Sequence, residues 1–206
     1  MKPQVVIIDY GMGNIFSVEK KIRKLGYPVT VSSEKKIIEK ADKLIFPGVG
    51  HFGKAMTNLH SLGLIDVLNK KVLISKTPIL GICLGMQLLA QKSEEGDSNG
   101  LGWVEGKIVK FNISDKFKFK VPHTGWNNVV VKKSSNLMKN ITSDSEFYFV
   151  HSYHFKEGRE EDILTETHYE EVFVSSFERE NIFGVQFHPE KSHHYGEQLM
   201  KNFIDL

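Results

Sequence analysis

The chain has 206 residues, 40% of them hydrophobic, which suits one compact domain with a sizeable core. Its 27 Lys and Arg against 25 Asp and Glu leave a formal net charge of +2, and no basic block is dense enough to follow a nucleic-acid backbone. One cysteine excludes an internal disulfide, and the apolar run at the N-terminus is too short for a signal peptide or a membrane span. We therefore expect a cytoplasmic protein with no nucleic-acid or membrane partner. We expect one domain over residues 1–206.

The first half of the chain alternates short apolar runs with helical patterns, which predicts a parallel sheet flanked by helices. The predicted strands cover residues 5–9, 29–31, 43–46 and 78–82. The predicted helices cover residues 14–25, 35–40 and 53–74.

The second half favours antiparallel strands. Residues 93–102 are polar and glycine-rich, and we expect a surface loop that belongs to a site. Strand-like runs follow at residues 106–111, 129–131, 146–152, 171–177 and 182–187. A last helix over 195–204 is expected to pack Leu199, Met200 and Phe203 inward.

The only cysteine lies in the stretch GICLGMQ, where Cys83 ends an apolar strand and a helix-forming run follows. A sharp strand-to-helix turn strains its middle residue and crowds the positions two before and two after it, which are here Gly81 and Gly85. The N-terminal end of the helix favours a thiolate, and the N–H of Leu84 would point to a developing oxyanion. The alternative is a small buried hydrophobe, which the two glycines disfavour.

A thiolate needs a proton acceptor, and only one histidine comes with an obvious orienting carboxylate. His188-Pro189-Glu190 follows the strand 182–187, and Pro189 biases His188 to an extended conformation. We therefore predict His188 as the base and Glu190 as its orienter. A surface turn is the competing interpretation. The pair His193-His194 lacks the companion ligands of a zinc site, so no metal is expected.

GICLGMQ together with VQFHPE about a hundred residues later resembles the class I, triad-type glutamine amidotransferases, which hydrolyse glutamine to glutamate and ammonia. PGVG at residues 47–50 and FVHSY at 149–153 follow the same family order. The resemblance implies an α/β fold with a mostly parallel central sheet flanked by helices and a smaller antiparallel portion. It implies a catalytic triad of Cys83, His188 and Glu190.

The same resemblance implies further site residues. Leu84 and the loop at Val49 and Gly50 are expected to supply the oxyanion hole. Glycines on both sides of Val49 would let the loop change its peptide orientation when a partner binds, although a simple turn is the alternative. The residues expected to contact glutamine are Gln87, Glu95, Ser152 and Tyr153. Glu94 and Glu95 cannot be told apart from the sequence.

Within the family, VPHTGWN at residues 121–127 and HPEKS at 188–192 resemble the glutaminase subunits of imidazole glycerol phosphate synthases. The resemblance implies a heterodimer with a (β/α)8-barrel cyclase that uses the ammonia in histidine biosynthesis. Bulk water protonates free ammonia at neutral pH, so a partner must close over the site. The residues expected at the interface are Asn14, Trp126, Asn127 and Lys191, with a buried Trp126 as the alternative.

Three other interpretations remain. A paralogous glutaminase could supply a sugar-modifying synthase in surface or flagellar glycan biosynthesis. A cysteine peptidase could share the elbow, and a silent regulatory subunit could share the fold. The loop from Asp9 to Asn14 follows a strand but has Phe16 where a dinucleotide fingerprint has its third glycine, so no cofactor is expected.

Overall fold

The structure, a computed structural model, describes residues 2–206. Its strands are β1 Val5–Ile8, β2 Val29–Ser32, β3 Lys43–Gly48, β4 Ile79–Cys83, β5 Lys92–Ser93, β6 Ser98–Asn99, β7 Lys107–Lys110, β8 His123–Asn128, β9 Val130–Val131, β10 Glu146–His151, β11 Tyr153–Lys156, β12 Ile163–Tyr169, β13 Glu171–Arg179 and β14 Ile182–Val185. Its helices are α1 Ile15–Lys24, α2 Lys35–Glu39, α3 Phe52–Ser61, α4 Ile65–Asn69, α5 Leu84–Leu88 and α6 His193–Asp205. A π-helical stretch, Lys70–Ile74, extends α4, and short 3₁₀ helices occupy Glu160–Asp162 and Pro189–Lys191.

One large sheet organises the chain. Five strands in the order β2-β1-β3-β4-β14 are parallel to one another. Beyond β14 the sheet continues through β13, β11 and β7, which pair antiparallel, to the edge strands β5 and β6. A separate ribbon joins β8 and β10. This arrangement confirms the predicted α/β fold with a mostly parallel part and a smaller antiparallel part.

Both faces of the parallel part are covered by helices. All four residues of β1 are fully buried, and their side chains alternate between two apolar clusters. Val6 and Ile8 pack in the cluster that includes residues of α2, α3, α4 and α5. Val5 and Ile7 pack in the cluster that includes residues of α1 and α6. Burial on both faces is the reason β1 is a continuous apolar run rather than an alternating one.

The order of the strands determines where a site can form. The chain runs from β1 to β2 on one side and then returns past β1 to β3 on the other, which reverses the strand order. β4 lies between β3 and β14, and all three are parallel. Their carboxyl ends therefore meet at one edge of the sheet, where open α/β sheets bind ligands. Val49 and Gly50 follow β3, Cys83 is the last residue of β4, and His188 lies just beyond β14. These segments are far apart in sequence.

Several elements differ from the sequence predictions. The single helix predicted over 53–74 is interrupted at Gly63, whose φ of +61° is incompatible with a continuing helix. The predicted loop at 93–102 contains the short hairpin of β5 and β6. Strands β8, β11 and β12 were not predicted. In β12 the buried positions include Thr165 and Thr167, so hydrophobic alternation is absent. The last helix does bury Leu199, Met200 and Phe203, as predicted.

Candidate active site

Cys83 occupies a strained turn between β4 and α5. Its backbone has φ 53° and ψ −111°, an unusual conformation for a residue with a side chain. A Cβ atom at Gly81 would lie 2.7 Å from the amide nitrogen of Met86 and 2.8 Å from the carbonyl carbon of Gly85. A Cβ atom at Gly85 would overlap the carbonyl oxygen of Phe46 on β3. The glycines thus relieve two contacts, one within the turn, as the sequence argument predicted, and one with the neighbouring strand.

The imidazole of His188 is oriented by Glu190. Nδ1 of His188 lies 2.9 Å from Oε1 of Glu190, and the two side chains are each only 1% exposed. The amide nitrogen of His188 donates to the carbonyl oxygen of Tyr148, which fixes the backbone after β14. The second ring nitrogen, Nε2, is buried and has no conventional hydrogen-bond partner among the described residues. It is therefore free to exchange a proton with a group in the site.

Burial acts on the pKa of His188 in one direction, and the neighbouring Cys83 and Glu190 act in the other. Burial lowers the pKa of His188, since it disfavours the charged ring. The nearby Cys83 thiolate, followed by Glu190, outweighs burial and raises that pKa to about 10. His188 is therefore an imidazolium at neutral pH, a group that can donate a proton within the site.

Cys83 opens into a cleft of about 310 Å³. Its lining residues are Val49, Gly50, Cys83, Leu84, Gln87, Glu95, Pro122, Val150, His151, Ser152 and Tyr153. The cleft brings together Cys83 with every residue predicted for the oxyanion hole and for substrate contact. Gly48 is paired with Cys83 in the sheet, so the loop at Val49 and Gly50 runs beside Leu84, at the start of α5.

The two adjacent glutamates point to different partners. The carboxylate of Glu95 accepts a hydrogen bond from the amide nitrogen of Phe52 at 2.7 Å and faces the cleft. The carboxylate of Glu94 instead accepts from the amide nitrogen of Lys110 at 2.9 Å. Glu95 is therefore the better placed of the two to meet a cationic group of a ligand.

Three comparisons bear on the family. The family model described as Glutamine amidotransferase class-I matches residues 6–206. The chain is 52% identical over 200 residues to imidazole glycerol phosphate synthase subunit HisH 2 of Methanococcus maripaludis, covering 97% of this chain and 98% of that protein. It is 45% identical over 202 residues to the subunit HisH 2 of Pseudomonas aeruginosa, covering 98% and 99%. A solved structure of a glutamine amidotransferase superposes with a TM-score of 0.76 at 17% identity, over 97% of each chain.

The chain belongs to the class-I glutamine amidotransferases. Membership in this family agrees with the fold and explains why a strained cysteine and a carboxylate-bound histidine lie at the carboxyl ends of neighbouring strands.

The residues predicted for a partner interface in this amidotransferase lie in different surroundings. Trp126 is 43% exposed, and its ring stacks on that of His193 at 4.7 Å. Nζ of Lys191 lies 5.4 Å from the ring of Tyr148, which itself contacts Trp126 edge to face. Side chains alternate along β8, so Asn127 points to the other face, where it donates to the carbonyl oxygen of His168.

Asn14 lies beside the predicted triad. Its Nδ2 is 3.4 Å from Oε1 of Glu190, the same oxygen that contacts His188. The segment at the start of α1 is therefore in contact with the orienter of the imidazole. A displacement of this segment would therefore alter a direct contact of Glu190.

Two buried residues of the site escaped the sequence analysis. His151 lines the cleft, and its Nε2 lies 3.2 Å from Nδ1 of His123. Burial lowers the pKa of His123 to about 4 and places that of His151 well below its usual range, so both rings are neutral. Gln186 is fully buried, and its Nε2 lies 3.6 Å from Sγ of Cys83. Both residues stand inside the motifs FVHSY and VQFHPE, which was the available signal.

Within residues 2–206, no group of three or more His, Cys, Asp or Glu side chains is arranged to hold a metal ion. None of the helices in these residues combines the length and the apolar character that crossing a bilayer requires.

Proposed function

We propose that this amidotransferase hydrolyses glutamine to glutamate and ammonia through Cys83, His188 and Glu190, and delivers the ammonia to a (β/α)8-barrel cyclase in the cytoplasm. The observation that carries the proposal is that Cys83, at its strained turn in the cleft, ends the strand next to the one that leads to the buried His188–Glu190 pair, whose Nδ1 and Oε1 atoms lie 2.9 Å apart. The cyclase would use the ammonia to form imidazole glycerol phosphate and an aminoimidazole carboxamide ribotide, in histidine biosynthesis.

In the first step the thiolate of Cys83 forms a bond to the side-chain amide carbon of glutamine. The resulting oxyanion is stabilised by the N–H of Leu84 and by the loop at Val49 and Gly50. The carbon–nitrogen bond then breaks, and the imidazolium of His188 gives its proton to the departing ammonia. A γ-glutamyl thioester on Cys83 remains.

In the second step water attacks the thioester. Neutral His188 accepts a proton from the water as its oxygen bonds to the carbonyl carbon. The carbon–sulfur bond breaks, glutamate leaves and the thiolate is restored. Glu190 holds Nδ1 of the ring throughout, so that Nε2 faces the reacting groups.

Glutamine is a zwitterion, so its recognition needs an acceptor for the ammonium and donors for the carboxylate. Glu95 is the proposed acceptor. The backbone of Ser152 and Tyr153 is the proposed source of donors, and Gln87 lines the pocket between them and Cys83.

The partner is proposed to dock on the face that carries Asn14, Trp126 and Lys191, with Asn127 behind it. An exposed tryptophan suits an interface, since aromatic residues are enriched there. Asn14 contacts Glu190 from this face, which gives a docked partner a direct route to the triad. Docking would also keep the ammonia from bulk water.

A second candidate shares the chemistry and changes the partner: a paralogous glutaminase that supplies a sugar-modifying synthase in surface or flagellar glycan biosynthesis. The relatives of M. maripaludis and P. aeruginosa both have names numbered 2, and such numbering suits families with paralogous copies. Complementation of a histidine auxotroph that lacks its glutaminase subunit separates the candidates. Growth without histidine supports the histidine pathway, and no growth by a well-expressed, active chain supports the second candidate.

The chemistry itself is tested by trapping the intermediate. After incubation with glutamine and an acid quench, the Cys83 peptide should carry one γ-glutamyl group by mass spectrometry. The matched control is His188→Asn, in which the cysteine is present but the proton donor is absent. Turnover without any modification of Cys83, or with modification elsewhere, would contradict the proposed nucleophile.

A further inference from the structure

A continuous chain of hydrogen bonds leads away from the sulfur of Cys83 into the protein. Nε2 of Gln186 lies 3.6 Å from Sγ. Oε1 of Gln186 lies 2.9 Å from Nε2 of Gln87, and that nitrogen lies 3.0 Å from the carbonyl oxygen of Tyr153. Nδ1 of His151 approaches the same carbonyl oxygen at 2.8 Å. Gln186 itself is fully buried, just beyond β14.

The direction of each bond follows from the far end of the chain. A backbone carbonyl only accepts, so Gln87 must present its amide nitrogen to Tyr153. The second hydrogen of that nitrogen faces Gln186, which must therefore present its oxygen. The amide group of Gln186 is thereby oriented with its nitrogen, a donor, directed at the sulfur of Cys83.

The other hydrogen-bond contact of the sulfur has the opposite character. The carbonyl oxygen of Val150 lies 3.9 Å from Sγ of Cys83 and accepts only, so it suits a thiol and not a thiolate. Gln186 donates, so it suits the thiolate. In a buried setting a donor to a charged acceptor is about twice as strong as a neutral hydrogen bond.

We propose that Gln186 is a positioning residue of the glutaminase reaction: it donates its amide N–H to the Cys83 thiolate, and Gln87 holds it in that orientation. The catalytic role of Gln186 rests on the proposed function, but its contact with the sulfur of Cys83 does not depend on that function. The hydrogen-bond chain also links Cys83 to the start of β11, because Gln87 and His151 both contact the Tyr153 carbonyl oxygen.

The sharpest test is Gln186→Glu. The new side chain keeps the length and an oxygen that accepts from Gln87, and its carboxylate form offers the sulfur a negative acceptor in place of a donor. Gln186→Met keeps the approximate volume and removes both polar ends. Gln198→Glu is the matched control, since it makes the same chemical change on α6, where Gln198 contacts Asn202 and not the cleft.

Two experiments are carried out on each folded variant at pH 7. The first measures the rate at which iodoacetamide alkylates Cys83, which reports the available thiolate and requires no turnover. The second measures kcat and KM for glutamine, with the activating partner if the chain alone is slow. For Gln186→Glu we expect the alkylation rate and kcat both to fall by about tenfold or more, with KM changed by less than about twofold.

Gln186→Met should also slow alkylation, and it should raise KM as well, because Gln87 loses its acceptor. Gln198→Glu should match the wild type in every quantity. A folded Gln186→Glu or Gln186→Met protein that is alkylated at the wild-type rate overturns the proposal, and if the first does not fold, the second decides. A wild type that never turns over glutamine, yet shows Gln186-dependent alkylation, would overturn the proposed function and leave only the contact between Gln186 and the Cys83 thiolate supported.

Discussion

Nδ1 of His188 lies 2.9 Å from Oε1 of Glu190, with both side chains buried two residues apart on the segment that leaves β14. The neighbouring strand β4 ends at Cys83, so the proposed nucleophile and its proposed proton carrier approach from adjacent strands. The second carboxylate oxygen, Oε2 of Glu190, is buried without a hydrogen-bond partner among the described residues. Glu190 thus contacts the imidazole through Oε1 alone, the oxygen that Asn14 also contacts.

Glu190→Gln should preserve the position of the ring and remove the charge that supports the imidazolium. We expect kcat to fall by about a thousandfold or more while KM for glutamine stays within about twofold. Steady-state glutamate production measures both constants, and a circular dichroism melt checks the fold. Equal turnover by the variant and the wild type would remove Glu190 from the proposed triad.

The raised pKa of His188 predicts an alkaline limit to activity. In the proposed mechanism the imidazolium protonates the departing ammonia, so kcat/KM should fall as pH rises through about 10. Glu190→Gln should move this limb to lower pH, because the carboxylate is one of the groups that raises the pKa. An alkaline limb of kcat/KM at the same pH in Glu190→Gln and the wild type would contradict this role of Glu190.

The same pKa affects stability. The folded-state pKa of His188 lies above the ordinary value of 6.5, so the imidazolium stabilises the fold below about pH 6.5, and this contribution is lost as pH rises toward 10.

Glu95→Gln tests the ammonium contact proposed for the cleft. The substitution keeps an oxygen that can accept from the amide nitrogen of Phe52, so α3 should remain in place. Loss of the charge should raise KM for glutamine by about tenfold, with a smaller effect on kcat. Glu94→Gln is the matched control, since Glu94 contacts Lys110, and its KM should equal that of the wild type. A raised KM in the control alone would exchange the roles of the two residues.

Gly85→Ala tests the close approach of the elbow to β3. The added methyl group would overlap the carbonyl oxygen of Phe46, which is backbone and cannot move aside. We expect the free energy of unfolding to fall by about 3 kcal/mol or more in denaturant titrations. Gly102→Ala is the control, because its Cβ would meet nothing within 4 Å and only its φ of +67° is unfavourable. About 1 kcal/mol is expected there. Equal losses in the two variants would contradict the steric account.

The parts of the fold that follow local rules could be predicted. Apolar runs predicted β1 to β4. The glycines around Cys83 predicted the elbow, because such a turn leaves no space for larger side chains at those two positions. Strand β12 could not be predicted, since its buried face uses Thr165, which pairs with Ser175 and Ser176 rather than with apolar side chains. The hairpin of β5 and β6 is too short to show a period.

The candidate site was predictable where one motif contained its chemistry. His188 and Glu190 are two residues apart, so their contact could be argued from spacing. Gln186 contacts Gln87, which lies 99 residues away along the chain, and only the folded sheet brings the two side chains together. The choice between Glu94 and Glu95 likewise required the direction in which each side chain points.

The measurement that tests the central claim most directly is glutamate production from glutamine by the purified chain, alone and then with the cyclase subunit and its nucleotide ligand. Cys83→Ala is the blank, and it should produce no glutamate while retaining its fold. We predict a large rise in Cys83-dependent glutamate production when the cyclase and ligand are present. Normal turnover by Cys83→Ala, or no turnover by the wild type under any of these conditions, would contradict the account. Cys83-dependent turnover that the cyclase leaves unchanged would support the proposed glutamine hydrolysis and contradict the proposed cyclase partner.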